Sequence, residues 1–143
     1  MKFDNYMILE FPSKSSNEAF ARAAVACFAS QMDPTLDELG DIKTAVSEAV
    51  TNCIVHAYPN EMGIITLRCR ILKDHILDIV VKDKGIGIKD LEKARQPMFT
   101  TGGSERSGMG LTIMETFMSE FSIESAPGKG TTVHMRRKLA RKL

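Results

Sequence analysis

Four stretches of the chain combine residue types that can do chemistry. The first is the pair Glu48 and Asn52, four residues apart in a segment of helical apolar spacing and therefore neighbours on one helix face. A carboxylate beside a carboxamide at a core margin can take the proton of a hydroxyl and complete the shell of a magnesium ion, which prefers oxygen ligands and keeps waters. The same spacing is common on solvated helix faces, so the pair alone decides nothing. The second stretch is Asp83-Lys84-Gly85-Ile86-Gly87-Ile88, directly after a predicted strand. An acidic residue at a strand end can accept a hydrogen bond from an adenine amino group, and glycines without Cβ let the backbone approach a ligand closely. A plain tight turn would use the same glycines. The loop is not a dinucleotide fingerprint, because Asp90 stands where a third glycine belongs and no βαβ unit follows.

The third stretch, Gly102-Gly103-Ser104-Glu105-Arg106-Ser107-Gly108-Met109-Gly110, leads into a predicted helix. Glycines and free amides at a helix N-terminus make an anion site, and Arg106 can bring a guanidinium to a terminal phosphate. A mobile loop ending in a helix cap has the same composition. The fourth, Gly128-Lys129-Gly130-Thr131-Thr132, superficially resembles a P-loop. It lacks the GxxxxGK[ST] order and falls in a predicted hairpin, which excludes that reading.

The elements that must position these residues follow from periodicity. Tyr6 to Phe11 alternates like a strand, and Ser15-Ser16-Asn17-Glu18 reads as a capping box opening a helix that runs to about Met32. Phe20, Ala23, Ala24, Cys27, Phe28 and Met32 form its expected apolar side, leaving Glu18 and Arg22 outward. After the break and cap at Asp33-Pro34-Thr35, a second helix runs from about Leu36 to Ala57, burying Leu39, Ile42, Val46, Ala49, Val50 and Cys53. Ile64 to Leu72 and Ile76 to Lys82 form an expected hairpin. A short helix over Asp90 to Arg95, a lid over Gln96 to Arg106, a helix from about Ser107 to Glu120 and a last hairpin turning at Pro127 to Gly130 complete the order. Helices on one face of a mixed, mostly antiparallel sheet, a two-layer α/β sandwich, is the fold class this order predicts.

At 143 residues, without repeats or linkers, the chain suits one domain over 1–143 with a single core. Its composition, 43% hydrophobic and 26% charged, is that of a soluble protein, and no apolar run is long enough to span a membrane. The first residues lack the pattern of a signal peptide, making the cytoplasm the expected compartment. A net charge of +1 gives no reason to expect nucleic acid or membrane as a partner, and the basic run from Arg136 to Lys142 reads as a solvated end. Cys27, Cys53 and Cys69, without CxxC spacing, read as buried thiols.

The order ExxxN on a helix, DxGxG after a strand, a glycine-rich helix start and GxGTT in the last hairpin resembles the GHKL ATPase and kinase superfamily, whose ATP-binding domain has the Bergerat fold. A sensor histidine kinase would need a phosphoacceptor histidine upstream, yet His56, His75 and His134 all follow the first part of the second helix. That group also carries asparagine where Glu48 stands, and a carboxylate there suits deprotonation of a serine hydroxyl or a water. Leu36 to Leu39, Ser47 to Asn52, Ala94 to Thr101 and Glu105 to Gly110 are similar to the switch-kinase group of anti-sigma factors along almost the whole chain.

This resemblance implies a homodimer that binds a sporulation sigma factor and uses ATP to phosphorylate a serine on a STAS-domain anti-anti-sigma factor, with Mg2+ and ATP or ADP as cofactors. It assigns Glu48 as general base, Asn52 as magnesium ligand, Asp83 as adenine reader, and Gly85 and Gly87 as the residues that let the base sit close. Thr101 and Arg106, Ser107, Gly108, Met109 and Gly110 become nucleotide contacts, with Arg106 set to meet transition-state charge. Thr132 or Thr131 supports the adenine through Asp83 or a water. His56 follows the asparagine and lies within reach of phosphate or serves structure. Asn17 to Arg22 is similar to the family's first-helix segment, which makes Arg22 a partner-binding candidate; an exposed arginine is equally ordinary on an amphipathic helix. Two alternatives share these motifs: an anti-sigma module that holds nucleotide without transferring phosphate, and the equivalent kinase of a stress response.

Overall fold

The computed structural model describes residues 3–59, 61–88 and 110–140. Five strands, β1 (Phe3–Pro12), β2 (Ile64–Leu72), β3 (Ile76–Asp83), β4 (Glu120–Ser125) and β5 (Thr131–Lys138), form one sheet in the order β1-β2-β3-β5-β4. Every pairing is antiparallel, so the mixed sheet expected from sequence is antiparallel throughout the described residues. Among the described residues three α-helices, α1 (Ser16–Ala29), α2 (Leu36–Asn52) and α3 (Gly110–Phe117), cover one face, with α2 packed between the other two. This is the two-layer sandwich of the Bergerat type. The short helix and lid expected over 90–106 lie outside the described residues.

The strands alternate as half-buried strands must. Ile65, Leu67 and Cys69 on β2, Leu77, Ile79 and Val81 on β3, and Val133 and Met135 on β5 point into the core beneath the helices. Helix α2 supplies Ile42, Ala45, Val46, Ala49 and Val50, the i, i+3, i+4, i+7, i+8 stripe of a helix lying flat on a sheet. Its start is fixed by Thr35, whose backbone is extended and whose hydroxyl accepts from Glu38 N while the Glu38 carboxylate accepts from Thr35 N, a complete capping box. At its other end the helix widens into a π turn, Cys53–Ala57.

Helix α1 departs from the sequence expectation twice. Ser15 makes no side-chain cap, and the neighbouring Asn17 spends its amide on the carbonyl of Pro12. The buried stripe is Ala21, Val25, Phe28 and Ala29, followed by Met32 in a 3-10 turn, while Phe20 is 52% exposed and Cys27 faces solvent. Alanines at 19, 21, 23, 24, 26 and 29 give the helix several nearly equivalent faces, so small-residue packing against α2 chose the rotation.

The basic C-terminal run is also not simply solvated. Arg136 and Arg137 are half-buried on β5, where Arg136 bonds Asp78 and Arg137 reaches Asp41 and the carbonyl of Phe117. Leu139 just beyond is buried.

Candidate functional site

Asp83 ends β3, is only 5% exposed, and faces the helices. Its Oδ1 accepts from the amides of Gly85 at 2.9 Å and Thr131 at 3.1 Å, and its Oδ2 from the Cys53 thiol at 3.4 Å. Two strands and the π turn after α2 therefore converge on one carboxylate. Burial first, and the neighbouring Asp83 charge second, push the Cys53 thiol well above its ordinary pKa, so it donates as a neutral S–H.

The loop after Asp83 is clamped from both sides. The Ala57 carbonyl accepts from Ile86 N at 3.0 Å, and a Cβ on Gly85 would lie 2.1 Å from that oxygen, so no other residue fits there without moving the π turn. Gly87 takes φ +77° with Ala126 O 2.0 Å from where a Cβ would be. On the other side Ser125 Oγ accepts from Ile88 N at 2.7 Å, bonds the carbonyl of Gly130 and lies 2.7 Å from Thr131 Oγ1. Gly128 N donates to Ile86 O at 2.8 Å. The last hairpin and the glycine loop form one bonded unit around Asp83.

Thr131, paired in register with Asp83, is the threonine that meets the carboxylate; Thr132 pairs with Lys82 and Glu124 and belongs to the opposite face. Glu48 and Asn52 are half-buried on α2. Gly110 opens α3, and Thr101, Arg106, Ser107, Gly108 and Met109 lie outside the described residues. Arg22 forms an ion pair with Glu18 at 3.4 Å on α1 and lines, with Gly40, Lys43, Thr44, Ser47 and Glu48, an open groove of about 400 Å³ between α1 and α2. The candidate partner residue and the candidate base thus share one groove.

No group of three or more His, Cys, Asp or Glu side chains is placed to hold a metal among the described residues. Asn52 offers a single amide oxygen, which matches a magnesium ion held mainly by phosphates and water. Sequence reasoning missed Cys53, Ala57, Tyr58 and Ser125 as parts of the site. Ala57 acts through its backbone and the others through partners 26 or more residues away or across a hairpin, so local spacing gave no signal.

The profile of the histidine kinase-like ATPase domain matches residues 11–137. The anti-sigma F factor of Caldanaerobacter subterraneus subsp. tengcongensis is 59% identical over 142 residues, 99% of each chain. That of Clostridium acetobutylicum is 52% identical over 138 residues, 96% of each. Among solved structures, the RsbU and RsbW domains of a Mycobacterium tuberculosis protein superpose with a TM-score of 0.72 at 21% identity, covering 96% of this chain and 33% of that one. That last likeness speaks to the fold.

Proposed function

The chain belongs to the histidine kinase-like ATPase domain family and, within it, to the anti-sigma F factors; on that premise we propose that it is an ATP-dependent protein-serine kinase that also holds a sporulation sigma factor inactive. The observation that carries the nucleotide half of this reading is the convergence on Asp83. Its carboxyl is held by two backbone amides and a thiol, and the loop beside it has no side chain at Gly85 and Gly87. Such a carboxylate suits an exocyclic amine of adenine, and the glycines let the base lie against the backbone. All of 1–143 forms one domain in this reading, with a serine acceptor on a STAS-domain partner.

In the phosphotransfer step Glu48 accepts the proton of the serine hydroxyl, the serine oxygen bonds the γ-phosphorus, and the bond to the ADP oxygen breaks. Asn52 would hold magnesium, which would supply charge neutralisation. Arg106 places its guanidinium on the transferred group, and Thr101, Ser107, Gly108, Met109 and Gly110 line the phosphates. The groove that runs between Arg22 and Glu48 supports the acceptor's approach from α1, because a partner seated at Arg22 is led to the base. An antiparallel pairing of two copies through β1 is supported by that strand's place at the sheet edge and by the exposed Tyr6 and Ile8 on it.

The test is transfer of label from γ-labelled ATP with magnesium to a STAS-domain partner, beside the Glu48→Gln variant. Label on a partner serine, reduced by at least about 10²-fold in the variant while ADP binding persists, is the expected result. Full transfer by Glu48→Gln would remove Glu48 as base, and nucleotide binding without transfer to any partner would leave a binding module only.

A further inference from the structure

Tyr58 follows the π turn directly, is 9% exposed and sits in the hydrophobic core, yet its hydroxyl is not idle. It accepts from Lys84 N at 2.7 Å and donates to the carbonyl of Ile64 at 2.9 Å. Lys84 is the residue after Asp83, and Ile64 is the first of β2, so one phenol ties the outlet of β3 to the inlet of β2. Gly63 packs so closely on the ring that a Cβ there would lie 2.2 Å from it, which fixes the ring's plane and the direction of the hydroxyl. One residue earlier, the Ala57 carbonyl holds Ile86 N. Consecutive residues at the end of the second helical segment therefore hold the chain on both sides of Gly85.

We propose that Tyr58 is a positioning residue for base recognition: its hydroxyl sets the path of Lys84 and thereby the direction in which the Asp83 carboxylate faces the base. The inference rests on the nucleotide-binding reading above and names a residue that reading does not use. Two physical points support it. A phenylalanine would leave the half-buried Lys84 amide without its acceptor, and a chain that loses such a bond moves to find another. Because Lys84 is covalently next to Asp83 and Gly85 N is bonded to the Asp83 carboxylate, any such movement rotates the carboxylate. π turns commonly mark functional sites, and here the turn carries Cys53 and Ala57 to the loop and delivers Tyr58 beyond it.

The experiment is competition of unlabelled ADP and GDP against a fluorescent ADP analogue on the full chain, for wild type, Tyr58→Phe and Phe28→Leu. Phe28 lies buried on α1 and its side chain makes none of the loop's hydrogen bonds, so its variant lowers stability without removing one of them. The expected result is about tenfold weaker ADP binding in Tyr58→Phe, the size of one lost part-buried hydrogen bond, with a smaller ratio of ADP to GDP affinity. Phe28→Leu should keep both affinities. Wild-type affinities in Tyr58→Phe would overturn the inference, as would an equal loss in Phe28→Leu or an unchanged ADP to GDP ratio. Failure of the wild type to bind either nucleotide would instead sink the nucleotide reading on which the inference stands.

Discussion

Two aspartates on β3 are buried almost equally and held in opposite ways. Asp78, fully buried, points to the face of the sheet away from the helices, where Arg70 at 3.0 Å, Arg136 at 2.8 Å, Arg68 at 3.7 Å and His134 surround its carboxylate. Asp83, five residues on and therefore on the other face, is held by two amides and a thiol. The first carboxylate is sealed from water by the guanidinium groups it neutralises, which leaves it nothing to offer a ligand. The second is held by neutral donors alone. Burial alone does not separate a structural acid from a recognising one; the chemistry of the surrounding donors does.

The difference can be broken at either end. Asp78→Asn should have the largest effect, because it removes the carboxylate charge that three guanidinium groups share. A loss of about 3 kcal/mol in urea unfolding is expected, with nucleotide affinity per folded molecule retained. Loss of nucleotide affinity without loss of stability would show that the two aspartates are not separable. Asp83→Asn should do the converse. It puts an amide donor where the adenine amine needs an acceptor, so ADP binding should fall about 10²-fold in calorimetric titration, with unfolding shifted far less.

The smallest effect is the one acid should produce. Burial by itself would raise the Asp78 pKa, but hydrogen bonds and charge from His134, Arg136 and Arg70 overcome it and hold the carboxyl below its ordinary 3.8. A carboxyl depressed in the folded state adds stability that is complete above its unfolded value, about 3.9, and is lost as pH falls through the folded value. Unfolding midpoints measured from pH 7 to pH 3 should therefore fall in acid for the wild type, and fall less steeply in Asp78→Asn. Parallel slopes would remove Asp78 from the acid response.

The same contrast explains what the sequence could say. Asp83, Gly85 and Gly87 were legible as a feature because a strand end and two glycines impose local geometry that residue types betray, whereas Thr132 was expected ahead of Thr131, and only strand register puts Thr131 on the Asp83 face. Helix α2 and the strands were legible by period, since a stripe of Ile42, Val46, Ala49 and Val50 fits a single face. Asp78 was not legible as a centre: its cations come from β2 and β5, 8 and 58 residues away for Arg70 and Arg136, and only strand register brings them together. The rotation of α1 was lost among its alanines, which exposed Phe20 and Cys27 contrary to the pattern. Tyr58 carried no cue, since its acceptor and donor roles lie across two strand ends.

The capping carboxylate of Glu38 has a second task. While Oε1 holds Thr35 N, Oε2 accepts from Ala140 N at 2.7 Å, across 102 positions of sequence. Burial works against that charge, and the two amides outweigh it, so the carboxyl is held below its ordinary pKa. One side chain thus joins the most local signal in the fold to one of the longest loops it closes. Closing such a loop costs chain entropy that short contacts do not. In kinetic terms the chain just past β5 is fastened to the first turn of α2, and peeling the last strand away with its tail must also break a bond to the cap of the helix that carries Glu48 and Asn52.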